Sequence, residues 1–199
     1  MQKNIVLKVV LTGTSPEVWR RIQVNSTIPL NEFHHILQIV MGWENYHLFE
    51  FIINGQRFGV TDEEFDIGDD EITDAKNVKL DTVINEGIKS FIYLYDFGDG
   101  WHHSIEVEDI AGIKENTNTP LCLGGAMNCP PEDCGGLPSF YHLVEVLNDK
   151  NHPEHSQIEE WLGEHYDPKQ FELALVNTIL ADLDAYIRDM EHDPRSDLN

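Results

Sequence analysis

Residues 90–108 read SFIYLYDFGDGWHHSIEVE, and their pairing decides the fold. Ser90 to Tyr95 and Trp101 to Glu108 are rich in β-branched and aromatic residues, and the turn pair Asp99-Gly100 lies between them. This is the pattern of an antiparallel hairpin. Successive strand residues face opposite sides, so Trp101, His103, Ile105 and Val107 share the inward face and His102 is left outside. Upstream, Ile5 to Leu11 and the stretch from Val18 to Gln23 predict two more strands, joined through Ser15-Pro16. Pro29 opens a helix on which Leu30, Phe33, Leu37, Val40 and Met41 share one face, and Gly42 stops it. Leu48 to Ile53 predicts a strand closed by Asn54-Gly55.

Downstream the pattern changes. Residues 122–136, CLGGAMNCPPEDCGG, are too rich in Gly and Pro to predict regular structure. Ser139 is a cap for a short helix through Leu147, and Ile158, Trp161 and Leu162 suggest another. Asp167-Pro168 predicts the start of a long helix, with Phe171, Leu175, Ile179, Leu183 and Ile187 forming one apolar stripe. The acidic run over residues 61–87 reads as a solvated, mobile excursion, or alternatively a calcium loop near Asp62, although it lacks the twelve-residue calcium pattern. Strands followed by helices give an α+β fold: an antiparallel-rich, β-grasp-like roll around one helix. The expected organisation is one domain over 1–199. It comprises a roll over 1–112, a Cys/Gly/Pro loop over 113–138 and a helical extension over 139–190.

Composition narrows the function. Asp and Glu total 36 against 13 Lys and Arg, for a net charge of −23. Such a chain repels phosphate backbones and anionic lipid, which disfavours direct nucleic-acid or membrane-surface binding. No apolar run approaches the ~18 residues of a membrane span, and the first ten residues lack a signal-peptide pattern. Three cysteines are an odd number for a disulfide framework and point to a reducing cytoplasm.

Two groups of residues can carry chemistry. Cys122, Cys129 and Cys134 form C-x6-C-x4-C, looser than the usual paired spacing of zinc sites. Three soft thiolates from one loop can still close around zinc if a fourth donor arrives, and inward-facing His103 is the natural fourth ligand. The alternative is that all four are buried core residues. The second group is the hairpin tip, where Tyr95, Asp96, Asp99 and Trp101 gather, with Glu132 and Asp133 from the Cys-rich loop as further ligand-binding candidates. The competing reading is that the glycines set backbone angles, the rings pack and the aspartates cap the turn. Arg20 and Arg21 point to opposite faces of their strand and are expected to pair with carboxylates.

LTGTSPEVWRRIQV (11–24), LNEFHHILQIVMGWENYHLFEF (30–51), YLYDFGDGWHHSIEVE (93–108) and CPPEDCGG (129–136) follow one another in this chain. Together they resemble the plasmid pRi ORF-3-like family, whose members are also labelled insertion-element passenger TnpR proteins. The resemblance covers about residues 4–147. It implies an α+β roll encoded near mobile elements and carries no established activity. The family's histidine after the DFGD-x-W segment falls on His103, while His102 stands where the family often has an acid. The resolvase-like label finds no physical support: the chain has five arginines and no basic tail.

Three functional readings follow, in order. The first is a non-enzymatic binding or interaction module with a protein or small-molecule partner and a structural zinc. The second is a metal-assisted hydrolase built on Asp99, His103 and Glu132. The third is an accessory protein of a mobile element that meets DNA through a partner.

Overall fold

The computed structural model describes residues 3–61, 72–111, 119–163 and 166–191. Its strands are β1 (Asn4–Leu11), β2 (Trp19–Asn25), β3 (Phe49–Ile53), β4 (Gln56–Gly59), β5 (Ile72–Asp74), β6 (Ser90–Tyr95), β7 (Trp101–Ala111) and β8 (Leu121–Ala126). They form one sheet in the order β5-β4-β3-β6-β7-β1-β2-β8. Every pairing is antiparallel except β4 with β5, so the fold is the α+β roll that the element order implies.

The helix α1 (Leu30–Met41) is buried along almost its whole length, and Gly42 ends it with φ 88°. Phe33 stacks on Phe51 of β3 at 5.7 Å, which seats the helix on the sheet. Burying each such side chain contributes roughly 1.5–3 kcal/mol, so this contact face dominates the helix's stability. Asn54 and Gly55 both take positive φ, 55° and 81°, in the tight turn expected between β3 and β4.

Several expectations are corrected. The part of the acidic excursion described here is ordered: β5 is followed by a 3-10 turn at Ala75–Asn77 and by α2 (Leu80–Asn85). Ala75, Leu80 and Val83 are buried, and these apolar residues anchor the stretch despite its charge. The proposed calcium loop at Asp62 lies outside the described residues.

Residues 127–135 are irregular as their Gly and Pro content implies, but the start of the 122–136 segment is a strand, β8, through Ala126. The reason is a close approach. A Cβ at Gly125 would lie 2.7 Å from the Phe171 ring and 2.8 Å from the Arg20 side chain, so glycine is what lets β8 pair with β2 there.

The helix α3 (Gly136–Asn148) begins before Ser139, with Gly135 at φ 92° as its cap residue. After α4 (His155–Leu162), the expected long C-terminal helix is two helices, α5 (Leu173–Leu180) and α6 (Leu183–Glu191). Asp167-Pro168 makes a turn, in which Gln170 N–H donates to Asp167 O. The break between α5 and α6 falls at Asp182, whose Oδ1 accepts from Ala185 N–H at 3.3 Å. Leu175 and Ile179 of the apolar stripe are therefore exposed, while Leu180 and Leu183 are buried. Among the described residues no helix is long and apolar enough to cross a membrane.

Arg21 makes the expected carboxylate pair, with Glu108 Oε2 and Oε1 at 2.6 and 2.8 Å. Arg20 does not. It is fully buried, donates to Val40 O, Trp19 O and Ala126 O, and lies 4.1 Å under the Phe171 ring.

Candidate cation site

The site forms where three segments meet. The first is residues 43–48, between α1 and β3. Three successive backbone N–H groups there are held by side chains: Glu44 by Glu132 Oε1 at 2.9 Å, Asn45 by Gln38 Oε1 at 3.0 Å and Tyr46 by the Tyr95 hydroxyl at 3.0 Å. Asn45 accepts φ 61°, and its Oδ1 lies 2.6 Å from His34 Nε2. Asn45 Oδ1 can only accept, so Nε2 of His34 carries the proton and Nδ1 accepts from the Tyr93 hydroxyl at 2.8 Å. This buried network sets the backbone that presents His47.

The second segment is the tip of the β6–β7 hairpin. Asp96 sits at φ 54°, its N–H donates to Leu48 O, and its Oδ1 accepts from Gly98 and Asp99 N–H at 2.9 and 3.2 Å. These bonds leave Oδ2 directed at the site. The third is the PPEDCGG stretch. Gly135 N–H donates to Asp99 Oδ2 at 2.9 Å, which docks this stretch on the hairpin tip.

His47 Nε2 lies 3.0 Å from Asp133 Oδ1, 3.7 Å from Asp96 Oδ2 and 4.0 Å from Glu132 Oε2. One donor atom each from His47, Asp96 and Asp133 falls within 4.8 Å of the others. Among the described residues this is the one such group of three metal-capable side chains. His47 Nε2 and Glu132 Oε2 are buried and make no hydrogen bond. Burial raises the Glu132 carboxyl above its usual range, opposed by the Glu44 N–H, the Tyr95 hydroxyl and His47. Burial likewise raises the Tyr95 hydroxyl, so it stays a hydrogen-bond donor.

The hairpin-tip candidates divide. Tyr95, Asp96, Glu132 and Asp133 converge on the site. Asp99 instead receives Gly135, and Trp101 is buried beneath it, stacked on Trp43 at 6.2 Å.

His103 faces inward and is fully buried as its strand register requires, with His102 exposed opposite. Its Nδ1 donates to Tyr93 O at 3.2 Å, and burial pushes its pKa down to about 3. The thiols are not gathered around it. Cys122 lies on β8 with its thiol toward Gly124 O. Cys129 is wedged between Met41 Sδ at 3.3 Å and Arg20, and Cys134 lies at the entrance to α3, close enough to Asp99 to feel its charge. No three of Cys122, Cys129, Cys134 and His103 bring donor atoms within 4.8 Å of one another. The cause is β8: a strand carries Cys122 along the sheet edge, away from the residues that follow it. Asp99, His103 and Glu132 do not form one constellation either: His103 is fully buried against Tyr93 O, Asp99 receives Gly135 N–H, and Glu132 is held by Glu44 N–H and the Tyr95 hydroxyl.

The sequence pattern of plasmid pRiA4b ORF-3-like proteins matches residues 3–175. The chain belongs to that family. A relative known as uncharacterized protein y4hQ, from Sinorhizobium fredii (strain NBRC 101917 / NGR234), is 42% identical over 181 residues, covering 90% of this chain and 91% of its own. The crystal structure of a protein of unknown function, MM3350 from Methanosarcina mazei Go1, superposes with a TM-score of 0.77 at 33% identity, covering 87% of this chain and 97% of that one.

Within this pRiA4b ORF-3-like fold, His47 is the site residue that the sequence did not reveal. Its partners are far away along the chain, so no spacing motif marks it. The signal is the β3–β6 register: Phe49 pairs with Tyr95, which sets the residues before β3 beside Asp96.

Proposed function

We propose that this pRiA4b ORF-3-like chain is a binding module that takes a divalent cation at His47, Asp96 and Asp133. The observation that carries the reading is the buried His47 Nε2, without a hydrogen bond, between two carboxylate oxygens at 3.0 and 3.7 Å. Donors sharing an ion at about 2.1 Å lie no more than about 4.2 Å apart, so these separations suit a common ion. Three carboxylates crowded at one recess repel one another, and a cation relieves that repulsion while coordinating the imidazole nitrogen, which makes no hydrogen bond. With a net charge of −23, the module's partners are cations, proteins or small molecules rather than nucleic-acid phosphate. Three free thiols fit a reducing compartment such as the cytoplasm.

The test is calorimetric titration of untagged, metal-stripped protein with zinc and manganese. One equivalent should bind, and His47→Ala and Asp96→Asn should each abolish it. Absence of binding in the wild-type protein overturns the reading. So does zinc uptake that survives His47→Ala but is lost when the three cysteines are replaced, which would return the ion to the thiols.

A further inference from the structure

We propose that the ion held here is a first-row transition metal with open coordination positions. It takes an exogenous oxygen-donor ligand whose N–H or O–H donates a hydrogen bond to Glu132 Oε2. The inference rests on the cation reading above and adds the class of ion and the class of ligand.

The donor set selects the ion. Magnesium and calcium prefer all-oxygen shells, whereas an imidazole nitrogen set between two carboxylates suits zinc, cobalt, nickel, manganese or ferrous iron. The number of donors leaves room. His47, Asp96 and Asp133 supply three, and these metals take four to six. The opening has a direction. The Asp96 side chain is only 8% exposed, and its backbone and Oδ1 are tied to Leu48, Gly98 and Asp99, so protein closes the site on that side. The Asp133 side chain is 67% exposed and marks the solvent side, where an external donor can enter.

Glu132 has a different part. Its Oε1 is committed to Glu44 N–H and the Tyr95 hydroxyl, which fixes the carboxylate plane. Its Oε2 is buried and unbonded, 4.0 Å from His47 Nε2, and is not one of the three mutually close donors. A carboxylate oxygen can only accept, so it needs an N–H or O–H that the described chain does not provide. A ligand seated on the ion's open face would bring one. Asp96 and Asp133 already balance a divalent charge, and Glu132 adds further negative charge beside it. Neutral or singly charged donors that carry a proton are therefore favoured over dianions such as phosphate.

Cobalt(II) provides the readout, because its visible absorption reports coordination number and ligand exchange. The untagged full chain is loaded with cobalt and titrated with acetohydroxamic acid, a proton-bearing oxygen chelator. A saturable spectral shift is expected, with magnesium and calcium failing to displace the cobalt at equal concentration. In Glu132→Gln the amide oxygen can still receive Glu44 and Tyr95, while the –NH2 group replaces the acceptor. The ratio of hydroxamate affinity to cobalt affinity should fall by about tenfold or more.

If cobalt binds but its spectrum ignores acetohydroxamate, or magnesium displaces it, the open transition-metal centre is wrong while the cation site stands. If Glu132→Gln leaves the ratio unchanged, or abolishes cobalt binding altogether, the acceptor role of Glu132 is wrong. If no cobalt enters the wild-type chain, the cation reading itself fails.

Discussion

Tyr95 donates its hydroxyl to Glu132 Oε1 across 3.0 Å while accepting Tyr46 N–H at the same distance. One buried oxygen thus joins the end of β6, the segment presenting His47 and the loop bearing Asp133. The Tyr95 ring also stacks on Trp43 at 5.0 Å, so its hydroxyl cannot swing away without disturbing the core. This makes Tyr95 the internal brace of the site.

Tyr95→Phe should keep the ring packing and remove the brace. Tyr46 N–H then loses its acceptor and Glu132 loses one of two donors. Leaving such groups unpaired costs about 1–3 kcal/mol. A urea-denaturation midpoint lowered by a corresponding amount, with unchanged slope, is the expected result. A midpoint equal to that of the wild type would show that the three segments hold together without the hydroxyl.

Acid should destabilise the protein through its buried imidazoles. Burial pushes His103 down to about 3 and His34 well below its ordinary value, with the neighbouring His35 adding to the latter. Unfolded, both titrate near ~6.5, so between that pH and ~3 the unfolded chain binds protons that the folded chain refuses. The stabilisation is complete above ~6.5 and is lost as pH falls, at up to about 1.4 kcal/mol per pH unit for each histidine. The raised carboxyls of Glu32 and Glu132 act with the opposite sign, so a variant isolates the effect. His103→Phe should flatten the stability slope between pH 7 and 5 by about one proton, with His34 keeping part of it. A slope identical to that of the wild type would mean that His103 is protonated in the fold.

Local signals made much of this architecture readable. The 90–108 hairpin, α1 with its Gly42 stop and the Asn54-Gly55 turn each depend on residues adjacent in sequence. The strand β8 was not readable, because the need for Gly125 is set by Arg20 and Phe171, which approach from elsewhere in the chain. The break after α5 was hidden for a related reason. A four-residue apolar period runs unchanged through residues 171–187, and only burial separates Leu180 and Leu183 from Leu175 and Ile179. At the site, Tyr95, Asp96, Glu132 and Asp133 were visible as an unusual local density of carboxylates and rings. Their partner His47 follows only once β3 is registered on β6. The cysteines attracted attention as soft ligands, but the sheet disperses them.

The two glycines of β8 offer a paired test. At Gly124 the nearest atom to an added Cβ is on the Trp19 ring at 3.8 Å, an ordinary contact. At Gly125 the added atom would meet Phe171, Arg20 and the Trp19 carbonyl, all within 2.8 Å. Gly124→Ala should change stability by less than about 0.5 kcal/mol, and Gly125→Ala should cost about 1–3 kcal/mol by overpacking. Thermal unfolding of both variants decides the matter, and equal melting temperatures would show that β8 shifts freely from β2.

Among the described residues, a side-chain amide pairs with the open edge of β8. Asn177 on α5 accepts Cys122 N–H at 2.8 Å through Oδ1 and donates Nδ2 to Cys122 O at 2.9 Å, so its amide pairs as a neighbouring strand would. The strand's other side is paired with β2, and Leu121 and Leu123 are exposed, which leaves this edge little other protection. In Asn177→Leu both backbone groups lose their partner while α5 keeps its helix-forming character. Loss of one or two such bonds costs about 1–3 kcal/mol locally. Hydrogen exchange at the Cys122 amide should therefore accelerate by about tenfold or more, with amides of β1 and β7 protected as before. Exchange rising equally across the whole sheet would show instead that α5 and β8 unfold only with the core, and that Asn177 contributes to global stability rather than to guarding the edge.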